Sequence, residues 1–209
     1  MTQPIVVTGT DTEIGKTVFS AGLTLALNAT YWKPIQSGIE EQTDSQVIAS
    51  LTGCPTLPEA HLLQLPASPH LSAEAEGAHI GLDDLTIPAI DGPLVIEGAG
   101  GVMVPLNREE LFLDAFAQWR APVILCARTQ LGTINHTLMS LLALRQARCA
   151  IVGVAFIGDA VPEVEQTICD FADVAHLGRL PRLKTLNADT LTAAFEAIDM
   201  KTITGALTQ

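Results

Sequence analysis

Ile5-Val6-Val7-Thr8-Gly9-Thr10-Asp11-Thr12-Glu13-Ile14-Gly15-Lys16-Thr17 is the stretch that decides the fold of this chain. A β-branched run leads into a glycine-containing turn, and an apolar segment of helical period follows over residues 18–27. This strand–loop–helix order is the context that a phosphate-binding P-loop requires, because backbone N–H groups and a helix N-terminus then point at one anion. Lys16 would bring a positive charge to the outer phosphates, and the hydroxyl of Thr17 would be a ligand for Mg²⁺.

The spacing within this P-loop is not the common one. Five residues separate Gly9 from Gly15, whereas the common pattern has four residues between its first glycine and Gly-Lys-Thr. A Gly-Lys-Thr that occurs by chance in a surface turn is the alternative. The strand before it and the helix after it favour the P-loop.

Length and composition restrict the class of protein. We predict a single domain over residues 1–209, since a chain of 209 residues can bury one substantial core. The net charge of −12 argues against binding to nucleic acid, which requires a basic face. We expect a cytoplasmic protein without membrane contact, because no signal peptide precedes the first strand and no apolar run reaches ~18 residues. The cysteines show no Cys-x-x-Cys pairing, so neither zinc nor a redox pair is indicated.

Apolar strands alternate with helical segments along the rest of the chain. Further strands are predicted at 30–32, 93–97, 122–127, 150–157 and 174–180, and helices at 44–51, 111–119, 133–146, 161–172 and 191–198. Strands of this apolar kind indicate a mostly parallel sheet with helices on both faces, which is a three-layer α/β fold of the P-loop type. For residues 33–38 and for most of residues 53–92 we predict irregular structure, because proline and glycine interrupt them.

Three polar residues fall where strands of this sheet end, which is where ligands bind. Glu97 ends a buried strand before a glycine run, where a carboxylate can accompany the P-loop hydroxyl at a metal ion or cap a following helix. Asp44 stands at a predicted helix start, either as a metal ligand or as the N-cap. Lys33 lies between a strand and a proline, where it either stabilises a transferred phosphoryl group or remains a solvated side chain.

Four motifs in this order resemble the dethiobiotin synthetase family. They are Gly9-Thr10-Asp11-Thr12-Glu13-Ile14-Gly15-Lys16-Thr17, Lys33-Pro34-Ile35-Gln36-Ser37-Gly38, Glu97-Gly98-Ala99-Gly100-Gly101 and Leu131-Gly132-Thr133-Ile134-Asn135-His136. The P-loop with five intervening residues is that family's own pattern. The resemblance implies an ATP- and Mg²⁺-dependent ring closure of 7,8-diaminononanoate with CO₂. One amine takes up CO₂ as a carbamate, ATP phosphorylates the carbamate, and the second amine attacks the mixed anhydride to close a cyclic urea.

The resemblance also implies roles for individual residues. Lys16 binds phosphate, and Lys33 stabilises the carbamate and the transferred phosphoryl group. The implied Mg²⁺ site consists of Thr17, Asp44 and Glu97, and the implied substrate contacts are Thr12, Glu13 and Ser37. Nucleotide binding is implied for Glu13, Ile14, Gly15, Lys16, Thr17, Val18, Asp44, Glu97, Gly98, Ala99, Gly100, Gly158, Asp159, Pro181, Arg182 and Leu183.

Backbone and partner contacts follow from the same resemblance. The amides of residues 98–101 can approach substrate or phosphate closely, because glycine leaves little side chain in the way. The family forms a homodimer in which the carboxylate tail of the substrate lies near the segment Gly132-Thr133-Ile134-Asn135 of the partner subunit. A helix N-terminus is a suitable place for such an anion.

Two positions depart from the family pattern. The family presents an Asn that reads adenine after the strand that ends at Ile157, whereas Gly158 and Asp159 stand here. The acidic residue that follows the late loop of the family is absent from residues 184–188. The preference for a nucleotide base is therefore open, while the residues of the phosphate and carbamate chemistry are present.

Other P-loop proteins share parts of this pattern. Enzymes of corrin-ring amidation carry a second, glutaminase domain, for which this chain has no room. Partition-type switch ATPases need a second lysine inside the P-loop, and residues 10–14 contain none. A pseudoenzyme that only binds nucleotide remains an alternative on the sequence alone.

Overall fold

The chain folds as a parallel sheet between two layers of helices. The computed structural model describes residues 4–208, so residues 1–3, within the segment predicted to contain no signal peptide, lie outside the described part. The strands are β1 (Ile5–Gly9), β2 (Thr30–Trp32), β3 (Ile35–Ser37), β4 (His61–Leu63), β5 (Leu94–Glu97), β6 (Val123–Arg128), β7 (Ile151–Ile157) and β8 (His176–Leu180). The helices are α1 (Lys16–Leu27), α2 (Asp44–Thr52), α3 (Pro69–Ala75), α4 (Phe112–Trp119), α5 (Thr133–Gln146), α6 (Pro162–Ala172), α7 (Ala188–Phe195) and α8 (Met200–Ala206).

The large sheet has the strand order β2-β5-β1-β6-β7-β8, and its neighbouring strands are parallel. All its strands therefore end at the same edge. The chain runs from β1 to one side of the sheet and later crosses from β5 to β6 on the other side. In sheets of this kind ligands bind where the connections diverge, which here is beyond the carboxyl ends of β1 and its neighbours. The P-loop, Lys33 and Glu97 all lie at this edge.

Alternation along the strands divides the apolar side chains between two cores. Ile5 and Val7 of β1 belong to one core and Val6 to the other, since successive side chains of a strand point to opposite faces. The first core lies under α1, α2, α7 and α8 and includes Phe19. The second lies under α4, α5 and α6 and includes Phe116. Both faces of the sheet are thus covered, and the predicted three-layer α/β fold is confirmed.

One segment predicted to be irregular forms a second small sheet. Ile35–Ser37 is strand β3, which pairs in parallel with β4, whereas we predict no regular structure for residues 33–38. Pro34 cannot donate, but its carbonyl accepts from the amide of His61 at 3.0 Å. Ile35 is fully buried. Tertiary packing and pairing with a distant segment therefore outweigh the local turn signals.

The end of the chain also differs from the prediction. A single last helix over residues 191–198 is wrong, because α7 ends at Phe195 and α8 follows it. The carboxylate of Asp199 accepts a hydrogen bond of 3.0 Å from the amide of Thr202 and caps the start of α8. The predicted helix therefore ran past the real end of α7, and Asp199, just beyond the predicted segment, is the start signal of a separate helix.

Two expectations from composition concern membranes and cysteines. Within residues 4–208 the structure has no helix that is long and apolar enough to cross a membrane. The four cysteines are free thiols, and Cys126 is completely buried. Burial raises the pKa of the Cys126 thiol far above its usual range, so this side chain is an inert apolar group in the sheet.

Candidate active site

The P-loop joins β1 to α1 and is shaped by two glycines. Gly15 has a φ of 96°, in the left-handed region that glycine adopts without strain. A Cβ on Gly9 would clash with Cδ1 of Ile14 and lie 3.0 Å from Cδ of Lys16. Glycine at both positions therefore allows the tight curvature of the loop, and α1 begins directly behind it at Lys16.

Lys16 is almost completely buried at the start of α1. Its Nζ donates to the carbonyl oxygen of Asp11 at 2.7 Å. Burial lowers the pKa of Lys16, and the carboxylate of Glu97 opposes this effect in part. An ammonium group that water screens so little attracts a phosphate oxygen strongly.

Lys33 lies in a second, buried cluster with two carboxylates and a hydroxyl. Its Nζ lies 2.5 Å from Oδ2 of Asp44 and 3.0 Å from Oε1 of Glu97. The hydroxyl of Thr17 lies 3.0 Å from Oδ1 of Asp44 and 3.1 Å from Oε1 of Glu97. Lys33 is 5% exposed and Glu97 is 1% exposed. The predicted metal ligands and the predicted catalytic lysine therefore converge in one cluster.

Strand register explains how Lys33 and Glu97 meet. Tyr31 of β2 pairs with Val95 of β5. Lys33 stands two residues after Tyr31 and Glu97 two residues after Val95, so the two lie level with each other at the strand ends. Side chains two residues apart project from the same face of a sheet, which here is the face covered by α1. The two functional side chains therefore emerge beside each other next to the P-loop.

Helix α2 supplies the second carboxylate of the cluster. Thr43 is the N-cap of α2, and its hydroxyl accepts from the amide of Gln46 at 3.3 Å. The alternative in which Asp44 caps the helix is wrong, so its carboxylate is available to Lys33 and Thr17. The amide of Asp44 donates to the side-chain oxygen of Gln36 at 3.2 Å, which ties the start of α2 to β3.

The charges within this cluster stabilise each other. Burial by itself would lower the pKa of Lys33, but the carboxylates of Glu97 and Asp44 outweigh burial and raise it. Burial would likewise raise the pKa of Asp44, but Lys33 and the hydrogen bond from Thr17 outweigh burial and lower it. Lys33 and Asp44 are therefore both charged at neutral pH.

The oxygen atoms around Lys33 suit Mg²⁺. Two carboxylates and a hydroxyl are hard ligands of the kind that Mg²⁺ prefers. The hydroxyl of Thr17 faces two carboxylate oxygens but has one proton to donate, so it can satisfy only one of them at a time. Among residues 4–208, no three or more His, Cys, Asp or Glu side chains group closely enough to hold a metal ion alone.

The glycine loop after β5 packs against the P-loop. A Cβ on Gly101 would lie 3.3 Å from the carbonyl oxygen of Thr10. Gly100 has a φ of 63°, which again favours glycine. The amide of Gly98 donates to the carbonyl oxygen of Val7 at 2.9 Å, so it belongs to the sheet and is not free for a ligand. The close approach of residues 98–101 to substrate or phosphate stays a prediction, in which the amide of Gly98 is already bonded within the sheet.

The three predicted substrate contacts differ in their surroundings. Thr12 and Glu13 are exposed on the P-loop, and Glu13 has a left-handed φ of 55°. Ser37 ends β3, and its buried hydroxyl oxygen has no hydrogen-bond partner within the described part of the chain. Because a buried hydroxyl without a partner is unfavourable, Ser37 is suited to a ligand contact.

Comparisons with known proteins identify the family. A family model described as an AAA domain matches residues 3–190. The ATP-dependent dethiobiotin synthetase BioD of Rhodopseudomonas palustris (strain HaA2) is 59% identical over 198 residues, which cover 93% of this chain and 93% of the relative. The chain belongs to the dethiobiotin synthetase family. A second relative of that name, from Brucella anthropi, is 54% identical over 210 residues and 99% of each chain. The resemblance based on four motifs is confirmed.

Solved structures outside the dethiobiotin synthetase family share the fold. The cell division ATPase MinD of Pyrococcus furiosus has a TM-score of 0.58 at 15% identity, over 97% of this chain and 100% of that one. MinD complexed with Mg-ADP from Pyrococcus horikoshii also has a TM-score of 0.58 at 15% identity, over 98% of this chain and 99% of that one. Such low identity shows the fold alone.

The loops after β7 and β8 lie side by side at the P-loop edge, where the dethiobiotin synthetase resemblance predicts contacts to the base. The amide of Gly158 donates to the carbonyl oxygen of Leu180 at 3.0 Å, and its carbonyl accepts from Arg179 at 2.9 Å. The exposed side chains of Asp159 and Arg182 lie 3.9 Å apart. Pro181 and Leu183, the other two predicted contacts, flank Arg182 directly behind β8.

Two residues of this dethiobiotin synthetase site escaped the sequence analysis. The hydroxyl of Tyr31 donates to Oε2 of Glu97 at 2.9 Å. Burial and the negative charge of Glu97 raise the pKa of Tyr31 well above its usual value, so this hydroxyl keeps its proton. Arg128 donates to Oδ2 of Asp11 at 3.0 Å and to the carbonyl oxygen of Thr12 at 3.2 Å. The sequence contained a signal for both residues. Tyr31 stands two residues before Lys33 and so shares its face of the strand, and Arg128 lies at the carboxyl end of a strand, where ligands bind.

Proposed function

We propose that this chain is an ATP-dependent dethiobiotin synthetase, which forms a cyclic urea from 7,8-diaminononanoate, CO₂ and ATP. The observation that carries the proposal is the buried cluster of Lys33 with the oxygens of Thr17, Asp44 and Glu97, where Thr17 directly follows the buried P-loop lysine, Lys16. Phosphoryl transfer requires chiefly cations and positioning, and the two lysines allow one cation for the nucleotide and one for its acceptor. Relatives that are 53–59% identical carry this enzyme's name.

The P-loop and the oxygen cluster divide the work on the nucleotide. The backbone of residues 9–16 and the N-terminus of α1 bind phosphate, together with the ammonium group of Lys16. Thr17, Asp44 and Glu97 are the residues that hold Mg²⁺. The ion supplies neutralisation of charge on the outer phosphates.

Lys33 changes partners during the reaction in this proposal. Its ammonium group neutralises Asp44 and Glu97 in the structure, at 2.5 Å and 3.0 Å. Asp44 and Glu97 would also hold Mg²⁺, whose charge would take the place of the charge of Lys33. Lys33 is then free to turn towards the carbamate and the transferred phosphoryl group, where its charge stabilises the transition state in a site of low dielectric constant.

The substrate lies between the P-loop and β3. Thr12 and Glu13 provide polar groups on the exposed rim of the P-loop, and Ser37 provides a buried hydroxyl that needs a partner. The glycine loop of residues 100–101 lies against the P-loop and lets the substrate approach backbone closely.

The nucleotide base lies between the loops after β7 and β8. Gly158 offers no side chain, and its peptide groups are already bonded to Leu180 and Arg179. Asp159, with the segment Pro181-Arg182-Leu183, is therefore the side of this pocket that contacts the base. A single carboxylate that is exposed to solvent selects weakly between bases.

A second copy of this chain completes the site in our proposal. Large apolar side chains are exposed on α5 and beside it, namely Leu131, Ile134, Met139, Leu142 and, on α6, Phe171. Several large apolar side chains exposed on neighbouring elements are typical of an interface between proteins. The same helix begins at Thr133, where its N-terminus suits the carboxylate of a substrate bound to the other copy.

The dimer is tested by a charge on that surface. Leu142, which is exposed on α5, is replaced by Glu, and this variant is expected to yield monomers in sedimentation velocity. Circular dichroism checks that the variant is folded. The wild-type chain sedimenting as a monomer would contradict the dimer and the proposed contact of the substrate carboxylate with the second copy, but not the roles proposed for the P-loop and Lys33.

Dependence on the diamine tests the activity itself. Purified protein is mixed with ATP, Mg²⁺, bicarbonate and 7,8-diaminononanoate, and phosphate and dethiobiotin are measured. We expect phosphate release only when the diamine is present. Release that does not depend on the diamine would favour a switch ATPase, and binding without turnover a pseudoenzyme. Lys33→Ala should reduce turnover far more than it weakens nucleotide binding.

A further inference from the structure

We propose that Tyr31 is a positioning residue, whose buried hydroxyl holds one oxygen of Glu97 so that the other alone faces the metal ion and Lys33. The inference rests on the proposed function, since it assigns Tyr31 to the Mg²⁺ site of that enzyme. It adds a residue from β2 that touches neither the nucleotide nor the substrate.

The two oxygens of Glu97 have separate partners. Oε2 accepts from the hydroxyl of Tyr31 at 2.9 Å. Oε1 accepts from Lys33 at 3.0 Å and lies 3.1 Å from the hydroxyl of Thr17. Tyr31 is 0% exposed and Glu97 is 1% exposed, so no bulk water competes for either oxygen. The carboxylate thus has a fixed side, Oε2, which is held by Tyr31, and a working side, Oε1, which faces Lys33 and Thr17.

The fixed side matters because a glutamate carboxylate rotates easily. Its terminal torsion has a broad energy minimum with two-fold symmetry, so the two oxygens of an unrestrained carboxylate can exchange or tilt. A hydrogen bond from a rigid, fully packed aromatic ring removes this freedom. Outer partners of this kind orient metal ligands, and losing one typically costs 10–100-fold in metal affinity.

The arrangement also favours one metal over another. With Oε2 engaged by Tyr31, Glu97 offers a single oxygen to a cation. Mg²⁺ requires near-ideal octahedral geometry and suits a ligand that binds through one oxygen, whereas Ca²⁺ accepts a carboxylate through both. Tyr31 therefore supports Mg²⁺ more than Ca²⁺.

The matched control lies next to Tyr31 on the same strand. Trp32 is also buried, and its ring nitrogen donates to the carbonyl oxygen of Pro58 at 3.1 Å. Trp32 belongs to the opposite core of the sheet. Trp32→Phe therefore removes a hydrogen bond made by a buried aromatic side chain of β2 without touching Glu97.

The test measures binding of ADP by calorimetry without metal, with Mg²⁺ and with Ca²⁺. We expect Tyr31→Phe to weaken the Mg²⁺-dependent part of ADP binding by about 10–100-fold and the Ca²⁺-dependent part by less, with metal-free binding unchanged. Trp32→Phe should bind as the wild type does in all three conditions. A Tyr31→Phe variant that keeps wild-type Mg²⁺ dependence, or that loses all three equally, overturns the inference.

A second measurement needs no variant, because Tyr31 is the only tyrosine in the chain. Incorporation of 3-fluorotyrosine gives one ¹⁹F resonance, which should shift when Mg²⁺ and ADP are added together and broaden when Mn²⁺ replaces Mg²⁺. A resonance that responds to neither overturns the inference even if Tyr31→Phe fails to fold. These readouts do not use turnover, so an inference that fails here is distinct from an enzyme that shows no dependence on the diamine.

Discussion

Replacement of Lys33 by methionine should destabilise the protein strongly in the absence of Mg²⁺. The change keeps the volume of the side chain but removes the cation that lies 2.5 Å from Asp44 and 3.0 Å from Glu97. Breaking a buried ion pair from one side costs about 3–5 kcal/mol, because it leaves charge buried without a partner. The side chain of Asp44 is 26% exposed, so water screens part of its charge and the lower end applies. A loss of about 3 kcal/mol lowers Tm by roughly 6–12 °C in a domain of this size.

Mg²⁺ should reverse most of this loss. In the proposed site the ion neutralises the same two carboxylates, so Lys33→Met is expected to gain more stability from Mg²⁺ and ADP than the wild type gains. Thermal unfolding followed by circular dichroism, with EDTA or with Mg²⁺ and ADP, measures both effects. Lys201→Met is the control, since Lys201 is exposed on α8. If Lys33→Met unfolds with the wild type in EDTA, or if the ligands shift both proteins equally, then Lys33 and Mg²⁺ do not share the carboxylates.

Two further predictions concern the P-loop and the acid limit of stability. Arg128→Ala should raise KM for ATP by up to roughly fivefold, since a partly exposed ion pair contributes at most about 1 kcal/mol to the loop conformation. Arg108→Ala, which breaks an exposed ion pair elsewhere, should leave KM unchanged. Steady-state kinetics of Arg128→Ala equal to those of the wild type would contradict this role. The lowered pKa of Asp44 contributes stability that is present above its unfolded pKa of about 3.9 and is lost as pH falls through the folded value. Urea unfolding between about pH 5 and pH 2 should therefore show a shallower loss for Asp44→Asn than for the wild type, and identical slopes would refute it.

The raised pKa of Lys33 acts at the other end of the pH scale. A lysine whose folded pKa lies above its unfolded value of about 10.4 stabilises the protein fully below that pH. This contribution is lost only as pH rises through the folded value. Between these limits Lys33 and Asp44 keep their charges, so pH changes near neutrality should leave the contribution of this pair to stability unaltered.

Much of the fold could be predicted because its signals are local. Apolar strands that alternate with helical segments require a sheet covered on both faces, and the helix predicted over residues 133–146 has those bounds in the structure. The error at Ile35–Ser37 has the opposite cause. That strand exists because β4, more than twenty residues away, pairs with it, and flanking proline and glycine gave no sign of that partner.

The sequence by itself determined the phosphate loop, the layered sheet and the identity of the residues at its edge, because each depends on neighbours within a few positions. Which of these residues contact each other was decided by the tertiary structure alone. Glu97 meets Lys33, 64 residues away, and Thr17, 80 residues away, only because β5 lies between β2 and β1. The same strand order places the hydroxyl of Tyr31 within hydrogen-bond distance of Glu97. The pairing of charges that are distant in sequence cannot be predicted from local sequence, because the strand order of the sheet brings them together and burial makes their attraction strong.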